Sequence, residues 1–115
     1  MTSKENILKF MGLAMRANKV VSGCDAVVAS VLDGEAKLIV FAQDVSRNTM
    51  SKILDACESS EHDAPAAYRF ADSCEIGYAL GKPKRAVAVI TDKGFADKLQ
   101  VMFEDYSENE TEDRT

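Results

Sequence analysis

Tryptophan is absent from this 115-residue chain, proline occurs twice and histidine once. The longest apolar runs, Leu38 to Ala42 and Ala86 to Ile90, fall far short of the roughly 20 residues that a membrane-spanning helix needs, so no membrane partner is expected. The opening residues Met1 to Asn6 lack the charged-then-apolar layout of a secretory leader. Three cysteines, Cys24, Cys57 and Cys74, show no Cys-x-x-Cys spacing; that argues against zinc and disulfides and for reduced thiols in a cytoplasmic setting. Also missing are paired carboxylates, a nucleophile beside a base, and a second histidine at ligand spacing from His62. With no such constellation, neither an enzyme nor a cofactor is expected.

The composition that is present, 46% hydrophobic and 29% charged, fits one globular domain able to bury a core without staples. Its charge is unevenly spread. Six acids and one base fall between Glu104 and Thr115, so residues 1–103 are neutral and the net charge of −5 belongs to the C-terminal end. A single domain is therefore expected over residues 1–104, followed by an acidic, disordered tail over 105–115 that could engage a protein partner. An acidity of this origin does not argue against nucleic acid, because the local distribution of charge decides that.

Periodicity divides the domain into alternating elements. Thr2-x-x-Glu5 has the pattern of a capping box, and Ile7, Leu8, Met11, Ala14 and Met15 follow at helical spacing up to Asn18, which tolerates a left-handed cap. Val20-Val21 is a short strand, and Ser22-x-x-Asp25 is a second capping-box candidate opening an apolar helix that closes at Asp33-Gly34. Lys37 to Ala42 is a strand buried on both faces. Asp44 and Ser46 compete to cap a third helix carrying Met50, Ile53, Leu54 and Cys57. Ala66 to Phe70 is a weaker strand, Asp72-x-x-Glu75 opens a short helix closed by Gly81, and Arg85 to Ile90 is the last strand. Asp92 caps a fifth helix with Phe95, Leu99, Met102 and Phe103 on one face. Five helices alternating with four strands predict an α/β/α sandwich.

Two loops carry the functional signal. A glycine just before a helix start, in Ser22-Gly23-Cys24-Asp25-Ala26, leaves amide hydrogens pointing outward where the helix dipole favours anions. The plainer reading is a tight strand-to-helix turn, and Asp25 can occupy those amides itself. Lys82-Pro83-Lys84-Arg85 gathers three cations around one stiffening proline, and the plainer reading there is a solvated loop. Arg16 and Lys19 add to this charge only if the fold brings them alongside. All five phenylalanines fall on apolar faces, and Tyr68 and Tyr78 are the aromatics of the body with a prospect of exposure, so a platform stacking several bases is not expected. Cys24 sits at a helix start, where a thiol can become more acidic, but a small buried thiol is the simpler reading.

These segments, taken in order, are similar to those of the L7Ae/L30e ribosomal-protein superfamily, and most of all to its small bacterial YlxQ-type branch. The resemblance rests on Leu13-Ala14-x-Arg16-Ala17-Asn18-Lys19 with Gly23 beyond it, Lys37-Leu38-Ile39-Val40, Ile76-Gly77-x-Ala79-Leu80-Gly81-Lys82, Ala86 to Ile90, and Thr91-Asp92-Lys93-Gly94-Phe95, and it covers roughly residues 5 to 103. It implies a four-stranded mixed sheet in a three-layer α/β/α sandwich that binds RNA kink-turns or related internal loops. It also implies an RNA surface at Gly23, Cys24, Asp25, Ala26 and Ala29 together with Lys82, Pro83, Lys84 and Arg85, with Lys19 adding charge toward the backbone. The chain departs from the family where kink-turn binders carry a polar pair (here Asp25-Ala26), a helix lysine (here Ala29) and an apolar loop (here Lys82-Pro83-Lys84). Those changes remove groups that would hydrogen-bond sheared base pairs and leave backbone-directed contact.

Two functions follow as expectations. The first is a non-enzymatic, cytoplasmic RNA-binding protein acting on ribosomal or other structured RNA, without DNA, membrane or cofactor. The second is a protein-interaction module that kept the fold and lost RNA contact.

Overall fold

The computed structural model describes the backbone of residues 2–113 and the side chains of residues 2–106. Along the chain run α1 (Lys4–Arg16), β1 (Val20–Ser22), α2 (Cys24–Leu32), β2 (Leu38–Phe41), α3 (Arg47–Ser59), β3 (Ala66–Arg69), α4 (Ser73–Leu80), β4 (Val87–Ile90) and α5 (Lys93–Asp113). The four strands form one sheet in the order β1-β4-β2-β3. Strand β4 is antiparallel to both neighbours, and β2 and β3 are parallel, so the sheet is mixed as expected.

Alternation along β2 and β4 sorts the core into two halves. Leu38, Val40, Ala88 and Ile90 face a cluster with Ile7 and Met11 of α1, Ile76 and Leu80 of α4, and Leu99 and Phe103 of α5. Ile39, Phe41, Val87 and Val89 face the opposite way, onto Val27 and Val31 of α2 and Ile53 and Ala56 of α3. Both central strands are buried on both faces, which explains their unbroken apolar runs. The result is the predicted three-layer sandwich, with two helices on one side of the sheet and three on the other.

The ends of the elements follow local chemistry, with some displacement from the sequence patterns. The Asp72–Glu75 capping box forms in both directions, and Gly81 closes α4 in the left-handed region. Asn18 takes φ 65°, and the Asp92 carboxylate accepts from the Phe95 amide at 2.9 Å. At the first helix the cap shifts by one residue: Ser3, not Thr2, accepts from the Asn6 amide at 3.1 Å. Thr2 instead donates its own amide to the Asp105 carboxylate at 2.7 Å.

That contact ties Asp105, just past the expected domain boundary at residue 104, to the start of the chain. Tyr106 packs its ring edge-on against Phe70, with centroids 5.6 Å apart, and Phe70 in turn meets Phe103 at 5.2 Å. These aromatic contacts, which an alternating polar sequence disguises, carry α5 past the point where apolar periodicity fades. Of the tail expected over 105–115, the side chains from residue 107 on lie outside the described residues. Replacing Tyr106 by alanine should lower stability to urea by about 1–2 kcal/mol, through lost burial and an edge-to-face aromatic pair. An unchanged urea midpoint would return the boundary to residue 104.

Candidate nucleic-acid interface

Strand direction decides which loops meet. Because β4 runs against β1 and β2, the ends of β1, β2 and β3 and the start of β4 all lie on one rim of the sheet. Ser22 pairs with Ala88, and the Gly23 amide donates to the Val87 carbonyl at 3.1 Å. The Arg85 Nε donates to the Ser22 Oγ at 3.0 Å across 63 residues of chain. The two loops singled out in the sequence therefore touch.

At the first of them, Gly23 is the N-cap of α2 with φ 95° and ψ 147°, and no side chain caps the helix. A Cβ at Gly23 would meet nothing within 4 Å, so its backbone conformation, not crowding, requires glycine. Ser22 does not form the expected capping box, because it belongs to β1 and its hydroxyl serves Arg85. Among the described residues, the first amide of α2 to find a backbone acceptor is that of Val27, on the Gly23 carbonyl at 2.9 Å. The amides of Cys24, Asp25 and Ala26 precede it at a bare helix start, and Asp25, Ala26 and Ala29 are exposed around it. The Asp25 carboxylate does not cap these amides, yet it places a negative charge beside them. Cys24 is only half-buried against the core on the α2 side, where the sequence suggested a buried thiol.

The second loop is held from below. Lys82 donates its amide to the Gly77 carbonyl at 2.8 Å, and the Arg85 amide donates to the Ser73 carbonyl at 3.0 Å. A side chain at Gly77 would collide with the Pro83 carbonyl, so α4 needs glycine there to let the loop lie flat. Lys82, Pro83 and Lys84 are exposed, whereas Arg85 is half-buried, with Nη1 donating to the Lys84 carbonyl at 3.1 Å. Arg85 thus ties loops together, and the two lysines are the free cations.

Lys19 does not join this group. It precedes β1, and its carbonyl accepts from Thr91 at the far end of β4 at 2.9 Å. That places it about 10 Å from the rim, one strand length away. Arg16 ends α1 on that side as well. Tyr68 leans on α5, its ring stacked 4.9 Å from Phe103, while Tyr78 stands 89% exposed.

A third loop, unmarked in the sequence as functional, completes the rim. Asp44 was a cap candidate for α3, but Ser46 takes that role. Asp44 instead accepts from the Ser73 amide and the Ser73 hydroxyl, both at 2.8 Å. Those two bonds, with a smaller contribution from nearby Lys84, hold the Asp44 carboxyl below the ordinary aspartate range. Arg69 reaches the Gln43 carbonyl at 3.1 Å, and Arg47 begins α3 beside them. Around the rim, Arg47, Arg69, Lys82, Lys84 and Arg85 outnumber Asp25, Asp44 and Asp72. At the other end of the sheet, Arg16, Lys19, Lys37 and Lys93 meet Asp33, Glu35, Glu61, Asp63 and Asp92. Among these loop residues, cations are in excess on the rim and acids at the far end.

A four-stranded mixed sheet between two and three helices, with a glycine-initiated helix and a basic loop on one edge, defines a ribosomal-protein-like sandwich. The sequence profile of the Ribosomal protein L7Ae/L30e/S12e/Gadd45 family matches residues 5–100, and the chain belongs to that family. It is 41% identical over 90 residues to the RNA-binding protein YlxQ of Bacillus subtilis (strain 168), covering 77% of this chain and 86% of that protein. It is 32% identical over 102 residues to the RNA-binding protein YlxQ of Enterococcus faecium, covering 89% and 95%. A solved protein of unknown function from Bacillus halodurans C superposes with TM-score 0.76 at 31% identity, over 85% of this chain and 96% of that one. The Giardia lamblia 15.5kD RNA binding protein shares the fold, with TM-score 0.63 at 18% identity over 83% of this chain and 85% of that one. These relatives' names support the expectation that the chain is not an enzyme.

The Asp44–Ser73 contact sets a pH dependence. A carboxylate whose folded pKa is depressed contributes stability above its unfolded pKa of about 3.9, and that contribution is lost as pH falls through the folded value. Ser73→Ala should therefore be less stable than the parent at pH 7, with the gap between their urea midpoints narrowing below about pH 4. A gap independent of pH would show that the lost hydroxyl acts by packing alone.

Proposed function

We propose that this protein is a non-enzymatic, cytoplasmic RNA-binding protein that holds the sugar-phosphate backbone of a structured RNA on the rim formed by Gly23 to Ala26 and Lys82 to Arg85. The observation that carries this reading is the Arg85–Ser22 hydrogen bond of 3.0 Å, which sets an uncapped helix start beside two exposed lysines. Amides at a helix start and lysine ammonium groups both suit phosphate oxygens. The B. subtilis and E. faecium relatives, named as RNA-binding proteins, support the same ligand class.

Contacts of this kind position an RNA without reading its bases. Asp25, Ala26 and Ala29 offer no donor pair aimed at base edges, so shape and backbone path select the RNA. A kinked or internally looped ribosomal or other non-coding RNA suits such a rim, since it brings two phosphate strands close together.

Gel shifts with a kink-turn RNA, an unkinked RNA duplex and a ribosomal RNA fragment, each at two salt concentrations, test the proposal. Affinity should fall steeply as salt rises. Lys84→Ala should weaken binding to all of the RNAs that bind and reduce the salt slope by about one. Absence of binding to every RNA would leave the protein-interaction reading, which the neutral body and the exposed Asp25 favour.

A further inference from the structure

Outside the rim, a groove of about 920 Å³ lies between α1 and α4. Its floor is small and apolar, made by Leu8, Gly12 and Ala79, and Tyr78 and Arg16 stand along it. The Lys4–Glu75 ion pair at 2.7 Å and the Lys9–Glu5 pair at 3.1 Å neutralise both of its carboxylates. Among the described residues Arg16 has no carboxylate partner, so the groove keeps a net positive charge.

The groove and the basic loop share α4 as a support. Tyr78 follows Gly77, the residue on which Pro83 rests, and its carbonyl accepts from the Gly81 amide at 3.1 Å. The turn that displays Tyr78 is thus the one from which the Lys82–Lys84 loop hangs. Tyr78 and Arg16 line the groove, and Lys82 is held to Gly77, the residue before Tyr78. At 89% exposure the phenol ring covers nothing in the fold.

We propose that this groove is a subsite for a single-stranded segment flanking the structured RNA, with Tyr78 stacking on one unpaired base and Arg16 meeting its phosphate. The proposal rests on the RNA reading above and extends it. A free aromatic face beside a cation is the pairing that unpaired nucleotides use, and it tolerates any base. The volume suits roughly one or two nucleotides. A peptide helix would want deep apolar pockets for anchor side chains, and Gly12 and Ala79 make a shallow floor. One stacked base is compatible with the scarcity of exposed aromatics, which excludes only a longer platform.

The test uses the full chain with three probes: a blunt-ended kink-turn RNA and the same RNA with an oligouridine extension at its 5′ or its 3′ end. At least one extension should tighten binding about tenfold. Tyr78→Ala should bind the blunt RNA as the parent does and lose the gain from the extension, while Tyr78→Phe should keep it. Arg16→Ala should lower the salt slope by about one for the extended RNA only. The proposal fails if neither extension adds affinity, if Tyr78→Ala retains the gain, or if Tyr78→Ala weakens both forms equally. Failure of the parent chain to bind any of the probes would remove the RNA reading itself, and this subsite with it.

Discussion

The hydrogen bond between the Arg85 guanidinium and the Ser22 hydroxyl is the contact on which the rim depends. β1 is three residues long, and a strand of that length fixes its neighbouring turn poorly by ladder bonds alone. A bond from a charged donor contributes about 1.5–3 kcal/mol, toward the lower end where water reaches it, as it does here. The Arg85 amide also donates to Ser73, and Ser73 binds Asp44, so one residue links three loops in series. Arginine suits this task because its planar fork can serve Ser22 and the Lys84 carbonyl together. A lysine ammonium has donors enough for both but no rigid fork to fix their directions.

This tether has a consequence for the helix beside it. With Ser22 committed to Arg85, the start of α2 has no side-chain cap, and glycine at N-cap supplies none. Glycine in place of a capping side chain costs the helix only about a few tenths of a kcal/mol, and its leading amides stay open. The fold therefore gives up some helix stability at the one place where open amides suit an anion. Asp25 partly offsets the dipole there without closing the site. The other helix starts differ: Ser3, Ser46, Asp72 and Asp92 all supply side-chain acceptors.

Much of the fold was legible in the sequence because the signals were local. Apolar runs marked β2 and β4, Asp72 and Glu75 marked the start of α4, and Asn18 and Gly81 marked turns that need positive φ. What resisted reading depended on distant contacts. Asp44 looked like a cap, and only the approach of Ser73 from 29 residues away turns it into a loop tether. Arg85 looked like a third free cation until Ser22 was seen to hold it. Lys19 and Gly23 lie close in sequence, but the strand between them sends them to opposite ends of the sheet. Strand order, which no local pattern states, separates a rim residue from a bystander.

The same separation lets the body of residues 1–103, neutral as a whole, gather cations in the loops at one end of the sheet. At about 0.1 M salt the Debye length is about 10 Å, close to the length of one of these short strands. Acids at Asp33, Glu35, Glu61 and Asp63 at the far end of the sheet are therefore largely screened from a strand lying on the rim. Those that matter are Asp25, Asp44 and Asp72, and of these Asp44 is already tied to Ser73 beside Lys84. An RNA approaching the loops of the rim meets Lys82 and Lys84 beside the open amides of α2. Its affinity is then set by the few groups within one screening length, which makes Lys82, Lys84 and the open amides of α2 decisive and leaves the global charge to govern solubility.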